Sequence, residues 1–141
     1  MQFGGVNWTA IVLAAIAGFA VGAVWYWIFG KRWMEANGLT EEMGRGQSAS
    51  SKAMPFLWAA LANILIAIGL AGIVGHLGIG QVTLRHSIIS AIALWLAFII
   101  PILVVNYTFA RRKPVLIAID GGHWLVVIVV MGVIIGAMGV K

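Results

Sequence analysis

The sequence predicts an all-α, polytopic membrane protein: four transmembrane helices in an antiparallel bundle. Three observations carry this. Apolar residues make up 62% of the chain, against about half in soluble domains. Charged residues are 9% of it, and most sit in short stretches between apolar runs. Four segments each exceed the ~20 mostly apolar residues that a spanning helix needs. A soluble domain of 141 residues could not hide that much apolar surface.

The expected spans run from Asn7 to Phe29, Pro55 to Gly78, Leu84 to Ala110 and Val115 to Val140, forming one four-helix domain. Nothing basic precedes the first apolar run except the amino terminus, so this span reads as a retained helix rather than a signal peptide. The loop from Gly30 to Met54 carries Lys31, Arg32, Arg45 and Lys52, and the turn after the third span carries Arg111, Arg112 and Lys113. The other side has only Arg85 and Lys141. The positive-inside rule places both basic loops in the cytoplasm and both termini outside it. Trp8 at one end of the first span, and Trp25, Tyr26, Trp27 and Trp33 at the other, fit an aromatic belt.

Within the first loop, Thr40 followed by Glu41 and Glu42 reads as a helix start, with acids at the positive end of the dipole. Gly44 to Ser51 reads as a flexible linker. Trp33, Met34, Leu39 and Met43 offer an apolar side for the membrane surface, although a plain connector explains so short an arm as well. The first and third spans both end in an aromatic residue followed by basic ones. The second and fourth open on Met54-Pro55 and Lys113-Pro114. These junctions suggest two repeated helical hairpins in parallel orientation, an arrangement that often places a site between the repeats.

Asp120 is the only acid inside the spans. A carboxyl group at membrane depth is costly, so it is paired, buried in protein, or used. It lies about two turns in from the cytoplasmic end of the fourth span. His123 and Trp124 follow at i+3 and i+4, on the same helix face. Gly121 and Gly122 between them allow another helix or a ligand close to the backbone. Asn106 with Tyr107 on the third span, Asn63 on the second, and Trp25 with Tyr26 on the first fall in the same half of the membrane. These eight residues form the candidate ligand-binding or proton-transfer site. Pro101 is expected to kink the third span and to free a carbonyl near Leu96 or Ala97 toward the interior. The competing structural reading is a polar clamp in which Asp120 bonds its neighbours and fixes how the helices pack, each bond contributing about 0.6 kcal/mol on average.

Other chemistries find little support. Cysteine is absent, which excludes disulfides and thiolate sites. The net charge of +5 reflects topology signals, so no nucleic acid is expected as partner. His123 and Asp120 give only two metal ligands. His76 and His86 flank the outer turn, where haem ligation is improbable, and no cofactor is expected. There is no phosphate-binding loop, nucleophile elbow or zinc-protease motif, and Ser87 and Ser90 lie far from Asp120 in depth, so an enzyme is not expected.

Small residues recur every four positions: Ala10, Ala14, Gly18 and Gly22 on the first span, Ala59, Asn63, Ala67, Ala71 and Gly75 on the second, and Gly132 and Gly136 on the fourth. Such stripes allow close helix packing, and three of them leave room for a homo-oligomer interface.

Several pieces also resemble a known family. They are Gly22-Ala23-Val24-Trp25-Tyr26, Phe29-Gly30-Lys31, Trp33-Met34, Gly38-Leu39-Thr40-Glu41-Glu42, Leu94-Trp95-Leu96-Ala97-Phe98, Pro101, Val105-Asn106-Tyr107, Phe109, Ile119-Asp120-Gly121-Gly122-His123-Trp124 and Met131-Gly132. They resemble, over nearly the whole chain, the bacterial membrane protein family catalogued as domain of unknown function 1761. The resemblance implies a four-helix bacterial membrane protein and no established activity. It also implies tyrosine in many relatives where this chain has His123, which would make a relay through His123 particular to this chain. Two functional expectations follow. One is a protein that binds or transports a small polar ligand or protons through a cytoplasm-facing pocket. The other is a non-enzymatic accessory subunit of a larger membrane complex.

Overall fold

A computed structural model describes residues 5–140. Its helices are α1 (Trp8–Ala36), α2 (Glu41–Arg45), α3 (Ala49–His76), α4 (Leu84–Leu94), α5 (Ile100–Phe109) and α6 (Pro114–Met138), with a single 3-10 turn at Ile79–Gln81. A π-helical turn at Trp95–Ile99 joins α4 and α5 into one continuous third span. Four helices are long and apolar enough to cross a membrane: Trp8–Ala36, Ala49–His76, Leu84–Phe109 and Pro114–Met138. No strand occurs among the described residues. The protein is a multi-pass, all-α membrane protein. Its many Val and Ile residues still form helix, because in lipid the backbone must satisfy its own hydrogen bonds.

Local signals set the ends. The side chain of Asn7 accepts a bond from the Ala10 amide and caps α1. That helix runs past Phe29 to Ala36 and stops where Gly38 takes a φ of +67°, with the Leu39 amide returning to the Met34 carbonyl. Thr40 caps α2 through the Met43 amide, as the Thr-Glu-Glu signal predicts. The expected flexible linker is different. Ser48 caps α3 through the Ser51 amide, so helix begins at Ala49, six residues before the expected start. Pro55 therefore lies inside α3, whereas Pro114 opens α6. The two junctions that looked alike in sequence are built differently. Ala49 to Trp58 are all exposed, and α3 joins the bundle only from Ala59 onward.

The fourth span is the centre of the molecule. Of its most apolar window 44% is buried in protein, against 6% for the third span. It packs on α1, α3, α4 and α5, while α1 also packs on α3. The third span therefore shows most of its apolar surface outward, where lipid is its solvent. The small-residue stripes are spent largely inside one chain. Ala10, Ala14 and Gly18 of α1 are buried, as are Asn63 and Ala67 of α3 and Gly132 and Gly136 of α6. Gly136 is the tightest case against backbone: a Cβ there would sit 2.6 Å from the Thr83 carbonyl oxygen.

Pro101 does not break the third span. The π turn shifts its hydrogen-bond register, so that the Ile100 amide bonds the Trp95 carbonyl. Leu96 and Ala97, near which a freed carbonyl was expected to line the interior, are exposed. The turn instead aims Trp95 at α6.

Gly136→Ala is expected to destabilise the bundle by about 1–3 kcal/mol, because the opposing atom is backbone and cannot yield. This outweighs the gain of up to about 1 kcal/mol that alanine brings to a helix. Gly72→Ala, with nothing within 4 Å, should be neutral or stabilising. Unfolding in mild detergent, followed by circular dichroism, checks the pair.

Candidate functional site

Asp120 is buried, 7% exposed, near the start of the central helix. Both carboxyl oxygens are engaged by phenols from different spans. The Tyr26 hydroxyl of α1 donates to Oδ1 at 2.5 Å, and the Tyr107 hydroxyl of α5 donates to Oδ2 at 2.7 Å. Two indoles hold the backbone on either side. Trp25 Nε1 donates to the Ile119 carbonyl at 3.0 Å, and Trp95 Nε1 donates to the Gly121 carbonyl at 2.8 Å. Four aromatic donors thus fasten residues 119 to 121 of α6 between the first and third spans.

The local sequence explains why these groups meet. Trp25 and Tyr26 are adjacent on α1 and reach neighbouring positions of α6. Trp95 and Tyr107 stand about three turns apart on the third span and converge on adjacent residues of α6. Glycine makes the approach close. A Cβ at Gly122 would lie 3.0 Å from the Trp25 ring, and one at Gly121 2.8 Å from Ile100 Cδ1.

His123 lies one turn further along the same face. Its ring centroid is 5.0 Å from that of Tyr26 and 4.6 Å from that of Trp124. Its Nε2 sits 3.1 Å from where a Cβ on Gly22 would be, so the imidazole occupies space that glycine leaves on α1. Its Nδ1 is buried without a hydrogen-bond partner. Asn63 fills the next gap on α1. Its Nδ2 donates to the Ala59 carbonyl at 2.8 Å, and its buried, unpartnered Oδ1 lies against Gly18 beside Met131. Gly18 and Gly22 are four residues apart, so Asn63 stands about one turn beyond His123.

Of the eight residues expected from sequence, Trp25, Tyr26, Tyr107 and His123 gather around Asp120, and Trp124 packs on His123. Asn63 sits deeper, on the Gly18 face. Asn106 is exposed on α5 and stands apart from the carboxyl group. Two open grooves are lined by apolar residues, one around Trp95 and Gly122 and the other around Ile16 and Ile134. Among the described residues, no three His, Cys, Asp or Glu side chains gather as metal ligands would. His86 is turned to its own helix cap, Thr83, at 3.0 Å.

Two contributors escaped the sequence reading. Trp95 is the first, although its place at mid-span, away from either interface belt, is a signal that an indole N–H needs a partner there. The second is a surface link. Arg112 Nη2 donates to Asn37 Oδ1 at 2.7 Å, and its guanidinium lies 5.1 Å from the Tyr107 ring centroid. This joins the turn before α6 to the end of α1. Trp33, whose ring meets Tyr26 edge-on at 6.1 Å, keeps its Nε1 buried and unpartnered.

These features define a class: a four-helix integral membrane protein with an aromatic-caged carboxyl group inside its bundle. The chain belongs to the family described as protein of unknown function (DUF1761), whose pattern it matches over residues 9–136. No curated protein and no solved structure matches it.

Removing either phenol leaves one carboxyl oxygen without its donor. Tyr26→Phe and Tyr107→Phe are each expected to cost about 0.5–2 kcal/mol of stability, the range for polar bonds between membrane helices. Combined with Asp120→Asn, each should cost less than alone, because the partners are shared. Reversible unfolding in mixed micelles reads the double-mutant cycles.

Proposed function

We propose that this protein is a non-enzymatic membrane protein that passes protons, or binds a small polar solute, at the Asp120 site. The observation that carries this reading is the company Asp120 keeps: two neutral phenols on its oxygens and an imidazole one turn away. A carboxyl group between rotatable hydroxyls can take up or release a proton without moving a helix. Arg112, which covers the outer phenol, lies in a turn at the bundle surface and marks the route to the cytoplasm in the positive-inside orientation. On the inner side, His123 Nδ1 and Asn63 Oδ1 are buried polar atoms with hydrogen-bonding capacity to spare.

A second reading rests on the two indoles. Trp25 and Trp95 hold backbone carbonyls and take no part in proton exchange, so the cage also serves as a clamp. As an accessory or structural subunit of a larger membrane complex, the protein would need only that clamp.

Reconstitution separates the readings. Vesicles carrying the protein, an entrapped pH dye and a potassium diffusion potential should show proton flux that Asp120→Asn largely abolishes. If flux is absent but native mass spectrometry finds a small molecule that the variant lacks, the solute form of the proposal holds. If wild type and variant are alike in both measurements, the proposal fails and the accessory reading stands.

The orientation is tested separately, helped by the absence of cysteine. Gln81→Cys should react with an impermeant maleimide in intact cells, and Gln47→Cys only after the membrane is opened. Both positions are exposed. The reverse pattern would turn the site away from the cytoplasm.

A further inference from the structure

We infer that the open groove between the third span and α6 seats an acyl chain of an anionic phospholipid, whose phosphate rests on Arg111 and Lys113. The groove holds about 500 Å³. Trp95 and Ile100 form one wall. Pro114, Ala118, Gly122 and Leu125 line the other, at a spacing of four, four and three that makes one stripe along α6. Ala118 is small and exposed, which keeps the stripe open there, while the space beside Gly122 is taken by the Trp25 ring. From Pro114 to Leu125 the helix rises eleven steps, or about 16 Å, which matches the ~15 Å hydrocarbon depth of one leaflet.

Charge decides the occupant. The groove begins at Pro114, and Arg111, Arg112 and Lys113 immediately precede it. Arg112 is engaged by Asn37 and Tyr107, which leaves the exposed Arg111 and Lys113 as the cations free to meet a headgroup. No acid lies in the first turn of α6, and Lys113 caps it without a side-chain bond. The positive end of the central helix therefore has no negative partner of its own sequence. An apolar channel one leaflet deep, opening on two cations and a bare helix start, favours an anionic lipid over a zwitterionic one, whose headgroup cation offsets its phosphate. Trp95 both lines the channel and holds the Gly121 carbonyl, so the lipid would lie against the back of the Asp120 cage.

The test is native mass spectrometry of the full chain in mild detergent, titrated with phosphatidylglycerol and with phosphatidylcholine of the same chains. Phosphatidylglycerol should bind in preference. Arg111→Gln and Lys113→Gln should each weaken it about fivefold, as expected for roughly 1 kcal/mol per cation, and leave phosphatidylcholine unchanged. Lys31→Gln with Arg32→Gln, on another part of the basic surface, should have little effect. Ala118→Phe, at an exposed position of the channel, should reduce binding of the anionic lipid, and Ala118→Leu gives the same reading should the larger ring disturb the bundle. Equal binding of the two lipids, equal loss in the Lys31 and Arg32 variant, or full binding with the channel filled would each overturn the inference. Because the readout is lipid binding, it stands or falls apart from proton flux.

Discussion

A carboxyl group placed among lipid-soluble helices must be satisfied by its neighbours, and the rest of the bundle follows from that requirement. Asp120 is buried in the bundle. Its two oxygens are served by Tyr26 and Tyr107, one from each flanking span. To deliver both phenols, the first and third spans must both pack on the fourth. The central position of α6 and its high burial are the packing consequence.

Apolar side chains alone could not specify this arrangement, because lipid tails solvate leucine as well as another helix does. Specificity comes from two devices that lipid cannot imitate. One is the set of directed bonds around residues 119 to 121. The other is backbone contact through glycine, with Gly132 and Gly136 lying against the Ser87 and Thr83 backbone at the opposite end of α6. The bonds fix one end of the central helix and the glycines fix the other. The π turn belongs to the first device. By absorbing the missing amide of Pro101, it lets one span carry both Trp95 and Tyr107 to adjacent points on α6.

Much of this was legible in the sequence. Hydropathy and length gave the four spans because the membrane leaves the backbone no alternative to helix. Asp120 announced itself as the lone acid, and the spacing to His123 placed both on one face. Depth arguments brought Tyr26, Trp25 and Tyr107 to the right level. They could not choose among rotations about the helix axis, which is why Asn106 was grouped with Tyr107 although adjacent residues point about 100° apart. Tyr107 is the one that bonds α6, while Asn106 is exposed. Asn63 lies deeper than its count from Pro55 suggests, because α3 starts earlier, at Ala49, and its first turns are exposed. The start itself was hidden because a Ser-rich run reads equally as linker and as helix cap.

The clamp and the proton state of Asp120 are therefore coupled. Each bond that orients Asp120 also positions a helix, so a change at the carboxyl group is felt by both flanking spans. Loss of the donor to Oδ1 would loosen α1, and loss at Oδ2 would loosen the end of α5 and, through Arg112 and Asn37, the surface link to α1. A protonated carboxyl group becomes a donor on one oxygen, which obliges one phenol to turn and accept instead. Protonation would thus reorder the hydrogen bonds around the cage, and the phenol that turns to accept must place its own hydrogen elsewhere. A carboxyl group held only for packing gains nothing from such reordering. The proposed proton exchange requires it, and rotatable phenols permit it where a fixed cation would not.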